Sequence, residues 1–173
     1  LSSSSNGTIY SAFVWRFPGE QVLVHSLTSD PAMDQLRDGA RALGLRLTAE
    51  HIAAFRTYYL KLVEWNSKFN LTAVTGYEDV QIKHFLDSLA CLLAIPAPGI
   101  AVGEPLPDVV PLSTAEAPRL CIDVGTGAGF PGLPLKILRP ALQMTLVDSS
   151  QKKVRFLEHL VPALGLSEVD CRW

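Results

Sequence analysis

The sequence has few cysteines and no pattern that would pair them. Cys91, Cys121 and Cys171 are far apart, and none belongs to a Cys-x-x-Cys pair. A disulfide framework or a zinc site would need an even or closely spaced set. The spacing therefore favours three buried thiols in a reducing compartment. We expect a cytoplasmic protein without a metal ion.

Long apolar runs and a strong charge of one sign are also missing. No stretch approaches the roughly 20 apolar residues of a membrane span, and no basic segment precedes an apolar run as in a signal peptide. Lys and Arg number 15 against 17 Asp and Glu, which gives a net charge of -2. The missing apolar run argues against a membrane partner. The charge balance argues against a strongly basic nucleic-acid domain but does not exclude a local basic patch.

Composition divides the chain into four regions. Residues 1–32 carry a serine run, and we interpret them as a tail or an upstream extension. Residues 33–94 have helical periodicity and form a predicted N-terminal helical region. Residues 95–118 contain six prolines and two glycines, which favours a linker or a surface insertion. Residues 119–173 are predicted to form the first part of an α/β domain.

Capping residues predict three helices in the N-terminal region. Asp30-Pro31 opens the first, which ends near Leu43. Thr48 caps the second, which ends near Asn70, and Thr75 begins a capping box for the third. The second helix is expected to bury one broad face, made of Ile52, Phe55, Tyr59, Leu62, Val63 and Trp65.

The third helix has two arcs when it is drawn at about 100° per residue. The apolar arc holds Ile82, Phe85, Leu86, Leu89, Ala90, Leu92 and Leu93. The polar arc holds Lys83, His84, Asp87, Ser88 and Cys91. The i, i+3, i+4 spacing of His84, Asp87 and Ser88 puts them on one face, which fits either a ligand-binding cluster or a solvated surface.

The pattern after residue 118 is typical of a parallel sheet. "RLCIDV" and "QMTLV" are short apolar strands, and "EVDCRW" looks like the start of a third. The segments between them, Pro131 to about Leu138 and Gln151 to Leu164, have helical spacing. This order predicts the first half of a doubly wound, Rossmann-like sheet.

The first strand leads into the turn "GTGAGFPG", which has four glycines in eight residues. In a parallel α/β sheet the ligand lies beyond the carboxyl ends of the strands, and glycine lets it approach the backbone closely. Gly127, Gly129 and Gly132 fit the G-x-G-x-x-G fingerprint of nicotinamide enzymes, and Asp148 follows about 20 residues on. A nicotinamide dinucleotide is therefore one candidate ligand.

Two residues favour S-adenosylmethionine instead. Asp123, at the end of the strand, suits a positively charged ligand, and Pro131 lacks the N–H that a phosphate would use. Asp148 can accept hydrogen bonds from the ribose of either ligand. Asp123 could also be a structural acid bonded to the turn, and Asp148 could cap the following helix.

The motifs "DVGTGAGFPGLPL" and "TLVDSSQKKVRFLE" resemble the glucose-inhibited division protein B family. Members of this family are bacterial methyltransferases that act on N7 of one guanine in small-subunit ribosomal RNA. "LVEWNSKFNLTAVTG" and "HFLDSLACL" are similar to the N-terminal helices of the same family. The resemblance covers about residues 33–173.

The resemblance implies a class I methyltransferase sheet, S-adenosylmethionine as cofactor and small-subunit ribosomal RNA as partner, in a protein that is a monomer at full length. It implies a cofactor site lined by Gly125, Thr126, Gly127, Gly129, Phe130 and Asp148. It also implies contacts with the cofactor or the RNA from Asn70, His84, Asp87 and Ser88. Guanine N7 already carries a lone pair, so the transfer needs positioning rather than a base, and we assign no catalytic residue.

The chain begins with Leu and ends at Trp173, inside the predicted third strand. We therefore expect a C-terminally truncated fragment that is inactive alone. Two other functions stay open at this point. One is an NAD(P)-dependent Rossmann oxidoreductase, and the other is an inactive remnant that binds RNA or another partner.

Overall fold

The computed structural model describes residues 33–94 and 119–173. The expectations for residues 1–32 and 95–118, including the helix start at Asp30-Pro31, lie outside the described residues. Both described ranges belong to the same compact unit.

Helix α1 spans Asp34–Ala42 and ends where the glycine predicts. Gly44 has a φ of +75°, a left-handed conformation that favours glycine. The N–H of Leu45 donates to the carbonyl of Ala40 at 2.8 Å, and that of Gly44 donates to Arg41 at 3.0 Å. These two bonds satisfy carbonyls that the end of the helix would otherwise leave unpaired.

Helix α2 spans Ala49–Phe69, and both of its predicted ends are confirmed. Thr48 Oγ1 accepts from the N–H of His51 at 3.3 Å, and the N–H of Thr48 donates to His51 Nδ1 at 3.2 Å. Asn70 ends the helix with a left-handed φ of +48°.

The buried face of α2 is narrower than predicted. Phe55, Tyr58 and Leu62 are fully buried, whereas Val63 is 37% exposed and Tyr59 is only partly buried. The prediction was wrong in including Val63 and in leaving out Tyr58, whereas Tyr59 packs against the core with part of its surface exposed. Phe55 and Tyr58 pack against the ring of Phe85, and Tyr58 also stacks on Phe130, so the fully buried stripe of α2 includes the residues that face these rings.

Helix α3, residues 77–94, is continuous but irregular. It consists of an α-turn (Tyr77–Val80), a π-turn (Gln81–Leu86), a second α-turn (Asp87–Ala90) and a 3₁₀ turn (Cys91–Ala94). Its N-cap is Gly76, which makes no side-chain capping bond, so the capping box predicted at Thr75 was wrong.

The π-turn changes which side chains of α3 face the core. A π-turn is wider than an α-turn, so each residue rotates by less than the roughly 100° assumed from the sequence. Phe85 and Leu89 are buried as predicted, but Gln81 and Ser88 are buried as well. Ile82, at 43% exposure, lies outside the core, so the predicted arcs fail around the π-turn.

The C-terminal range forms a three-stranded parallel sheet in the order β1-β2-β3. Its elements are β1 (Arg119–Val124), α4 (Gly132–Leu138), β2 (Leu142–Val147), α5 (Gln151–Ala163) and β3 (Val169–Arg172). In the register, Cys121 lies opposite Met144, and Leu146 lies opposite Cys171. The predicted α/β class and the predicted strands are confirmed.

The two faces of the sheet differ within the part of the chain that the structure describes. The face that carries Met144 and Leu146 is buried against α4 and α5, and α2 and α3 pack on these helices from the outside. The opposite face carries Leu120, Ile122 and Val124, which are 84%, 65% and 78% exposed. The core therefore lies entirely on the helical side.

The sequence predicts three buried cysteines, and this prediction was wrong. Cys91 is exposed, and Cys121 and Cys171 are partly buried. Burial raises the pKa of the Cys121 thiol and raises that of Cys171 to about 11, so both stay protonated near neutral pH. Neither thiol is suited to act as a nucleophile.

Within residues 33–94 and 119–173, no group of three or more His, Cys, Asp or Glu side chains is arranged to hold a metal ion. No helix in these ranges has the length and apolar character needed to cross a membrane.

Candidate functional site

The glycine loop, residues 125–132, connects β1 to α4 at the carboxyl edge of the sheet. The N–H groups of Gly125 and Thr126 donate to the carbonyl of Val147 at 2.8 and 3.1 Å, which ties the loop to the end of β2. Gly125, Gly127 and Gly129 have φ values of +79°, +63° and +99°. Only glycine adopts this region readily, so the backbone path itself requires these residues.

The loop glycines fall into two classes by what a side chain would meet. A Cβ on Gly125 would meet nothing within 4 Å, and one on Gly127 would meet only the Gly125 carbonyl at 4.0 Å. A Cβ on Gly129 would lie 2.5 Å from Tyr58 Oη, and one on Gly132 would lie 2.5 Å from Leu146. The first two glycines border open space that a ligand can use, and the last two allow close packing inside the protein.

Asp123 closes the glycine loop from within. Its Oδ2 accepts from Thr126 Oγ1 at 2.7 Å and from the N–H of Gly132 at 2.9 Å. Thr126 is 1% exposed, so its hydroxyl points into the protein. Of the two roles left open for Asp123, the structural one matches these contacts.

Asp148 links the loop to the start of α5. Its Oδ2 accepts from the N–H of Gly127 at 2.9 Å and lies 3.6 Å from Lys153 Nζ, and its Oδ1 accepts from the N–H of Ser150 at 2.8 Å. Ser150 is the N-cap of α5, so Asp148 supports the helix start without being the cap. Asp148 is 6% exposed and lies at the carboxyl end of β2, beside the open glycines.

Phe130 joins the loop to the N-terminal helices. Its ring stacks on Tyr58 from α2, with centroids 5.2 Å apart and planes at 3°, and on His84 from α3, at 4.4 Å and 13°. Both stacks are nearly parallel, which is a favourable geometry when the rings are offset. Three segments that are distant in sequence therefore meet at one aromatic side chain of the loop.

The four polar positions implied by the resemblance have different environments. His84 is half-buried, its Nε2 lies 2.9 Å from Thr72 Oγ1, and burial lowers its pKa. Ser88 is 3% exposed, and its hydroxyl donates to the His84 carbonyl at 2.5 Å. Asp87 and Asn70 are exposed. The π-turn thus turns Ser88 inward and leaves Asp87 outside.

Tyr58 contacts the glycine loop but was not predicted from the sequence. Its hydroxyl donates to the carbonyl of Ala128 at 2.6 Å, across 70 residues of chain. Periodicity had selected its neighbour Tyr59, and no local motif marks a tyrosine that bonds to a distant loop.

The sequence of this chain is similar to that of a known protein family. Residues 107–171 match the family model described as "GidB: rRNA small subunit methyltransferase G". A relative named Ribosomal RNA small subunit methyltransferase G, from Dehalococcoides mccartyi strain BAV1, is 49% identical over 138 residues, which is 80% of this chain and 51% of the relative. Over the matched range, the chain is similar to the GidB family.

Two further GidB relatives with the same name come from other organisms. The protein from Pelotomaculum thermopropionicum is 41% identical over 140 residues, which cover 81% of this chain and 51% of that protein. The protein from Roseiflexus sp. strain RS-1 is 45% identical over 137 residues, which cover 79% and 50%. The chain therefore spans about half the length of the curated relatives it matches. The glycine loop and Asp148 lie inside the range of the GidB model, whereas Tyr58 and His84 lie outside it.

Proposed function

We propose that the protein carrying this chain is an S-adenosylmethionine-dependent methyltransferase that acts on N7 of a guanine in small-subunit ribosomal RNA. The names of the GidB relatives support the methyl transfer and the RNA class. The choice of cofactor is supported by the way the glycine loop uses its backbone N–H groups.

The first N–H groups of α4 already donate hydrogen bonds to acceptors within the protein. That of Gly132 donates to Asp123 at 2.9 Å, and those of Leu133 and Leu135 donate to Gly129 and Pro131 at 2.9 and 3.2 Å. Proline has no N–H, which removes positions 131 and 134 as donors. A dinucleotide needs free N–H groups at this helix start for its pyrophosphate. S-adenosylmethionine has no phosphate and makes no such demand, and this observation carries the proposal.

The residues at the open side of the loop fit that cofactor. Gly125 and Gly127 border the open space, and Asp148 lies within hydrogen-bonding distance of Gly127. We propose that the two glycines line the cofactor and that Asp148 accepts from its ribose. The other residues of the implied cofactor site would hold the loop in place from its packed side and would not line the cofactor. These residues are Thr126, Gly129 and Phe130.

When bound, S-adenosylmethionine supplies a methyl group on a positively charged sulfur. The residues of this chain bind and orient, and no side chain has to remove a proton because guanine N7 carries a lone pair. On the RNA side we propose Asn70, His84 and Asp87, with Ser88 supporting His84 through its hydroxyl. We further propose that the protein acts in the cytoplasm, with its ribosomal RNA substrate.

The test uses the full-length gene product. Isothermal titration calorimetry with S-adenosylmethionine and with NADH identifies the cofactor, and borohydride–aniline cleavage of treated small-subunit RNA detects N7-methylguanine. We expect binding of S-adenosylmethionine and a new cleavage site. Binding of NADH instead would favour an oxidoreductase, and RNA binding without cofactor binding or methylation would favour a non-catalytic protein.

A further inference from the structure

Tyr58 is a fully buried polar side chain that the proposed chemistry does not use. It belongs to α2, yet its hydroxyl ends in the glycine loop, 2.6 Å from the carbonyl of Ala128. Ala128 is 3% exposed and lies between Gly127 and Gly129, so its carbonyl has little access to water. A buried carbonyl that loses its donor costs free energy, so this bond favours one loop conformation over others.

Two features of the loop are matched to Tyr58, and its own hydroxyl is kept protonated. The ring stacks on Phe130 at 5.2 Å with planes at 3°. Gly129 has no side chain at the point where a Cβ would lie 2.5 Å from Tyr58 Oη. Burial, together with the negative charge of Asp123, raises the pKa of Tyr58, so the hydroxyl keeps its proton and donates it at any working pH.

We propose that Tyr58 is a positioning residue that holds the glycine loop in the conformation that receives the cofactor. It acts through Ala128 and Phe130 and touches no reacting atom. Only the identity of the cofactor rests on the proposed function, since the contacts themselves are made within the chain.

The effect on binding follows from the loop equilibrium. Without the hydroxyl, the loop spends part of its time in conformations that do not bind the cofactor. The apparent affinity for the cofactor then falls in proportion to the population of the binding-competent conformation. A buried hydrogen bond of ordinary strength corresponds to a change on the order of tenfold.

The test compares Tyr58→Phe with Tyr59→Phe in the full-length gene product. Tyr59 offers a matched control because its hydroxyl makes only a 3.4 Å contact with the Thr75 carbonyl, at the surface. Hydrogen–deuterium exchange reads the amides of residues 125–132, and calorimetry reads S-adenosylmethionine affinity, both at a temperature where circular dichroism shows each variant folded.

We expect exchange in the loop to be faster on the order of tenfold in Tyr58→Phe, and affinity to be weaker by up to about tenfold, with Tyr59→Phe unchanged. Loop exchange in Tyr58→Phe equal to wild type would overturn the proposal. If the wild type does not bind S-adenosylmethionine, the proposed function fails, and loop exchange still decides the role of Tyr58.

A further variant covers the case in which Tyr58→Phe does not fold. It carries 4-aminophenylalanine at position 58 and so restores an N–H donor at the same place on the ring. Exchange close to wild type supports the role of the donor, and fast exchange in this folded variant contradicts it.

Discussion

The carboxylate of Asp123 and the backbone N–H of Gly132 lie 2.9 Å apart and so join the two ends of the glycine loop. The same oxygen also accepts from the Thr126 hydroxyl at 2.7 Å. The sequence had suggested that Asp123 favours a positively charged ligand by its charge. In the structure, Asp123 favours S-adenosylmethionine over a dinucleotide in another way, because its carboxylate accepts from the N–H of Gly132 that a phosphate would need.

Replacing Asp123 with Ala should destabilise the protein. Both Thr126 Oγ1 and the N–H of Gly132 lose their acceptor, and we expect the free energy of unfolding to fall by about 2 kcal/mol. Urea denaturation measures it. The control is Asp170→Ala, which removes an exposed ion pair with Arg172 and should change stability by less than about 0.5 kcal/mol. Equal losses of stability in the two variants would contradict the role of Asp123 in joining the two ends of the glycine loop.

The two classes of glycine predict unequal effects of alanine. Gly129→Ala should cost about 3 kcal/mol, because the new Cβ would overlap the Tyr58 hydroxyl and Leu133. Gly125→Ala should cost about 1 kcal/mol, since it pays only for the left-handed backbone. Denaturant titration of both variants tests the difference. A larger loss for Gly125→Ala would contradict the division of the loop into a packed side and an open side.

His84 should make stability depend on pH in the acid range. Burial lowers its pKa below the ordinary value of 6.5, so the folded state binds fewer protons than the unfolded state. Its contribution is complete above pH 6.5 and is lost as the pH falls through the lowered pKa. The free energy of unfolding, measured from pH 8 to 5, should fall less steeply in His84→Gln than in wild type.

His51, whose pKa burial also lowers, supplies a remaining slope in every variant. An unchanged slope in His84→Gln would show that His84 is not the group responsible.

Asp148→Asn should weaken cofactor binding more than it weakens folding. An amide keeps the size of the side chain but turns an NH₂ group toward one of the two backbone N–H donors, those of Gly127 and Ser150. We expect S-adenosylmethionine affinity to fall on the order of tenfold or more by calorimetry, with Asp170→Asn as the control. Unchanged affinity would remove Asp148 from the proposed ribose site.

Features set by neighbouring residues could be predicted from the sequence. Gly44 and Thr48 mark helix ends through contacts within five residues, and the strands around the glycine loop are short apolar runs with clear ends. The carboxyl-edge position of Asp148 followed from strand order alone. These predictions depend on local backbone chemistry, which the sequence contains directly.

The missed features depend on contacts between distant segments. Whether α2 buries Tyr58 or Tyr59 is decided by where the sheet helices lie, and the bond from Tyr58 to Ala128 spans 70 residues. Ser88 faces the core because of the π-turn, and no residue of "QIKHFL" predicts such a turn. A regular helical period cannot reveal a local change of that period.

The π-turn at Gln81–Leu86 also sets how the gene can tolerate loss of a codon. Deleting one residue there would let the backbone close as a regular α-helix, with its hydrogen bonds intact. Every later residue of α3 would then keep nearly its present direction toward the core, because a π-turn takes about one residue more than an α-turn for the same rotation. Leu89 would therefore stay in its buried place. An in-frame deletion in this turn is better tolerated than one in a regular helix, where it would turn every later residue by about 100°.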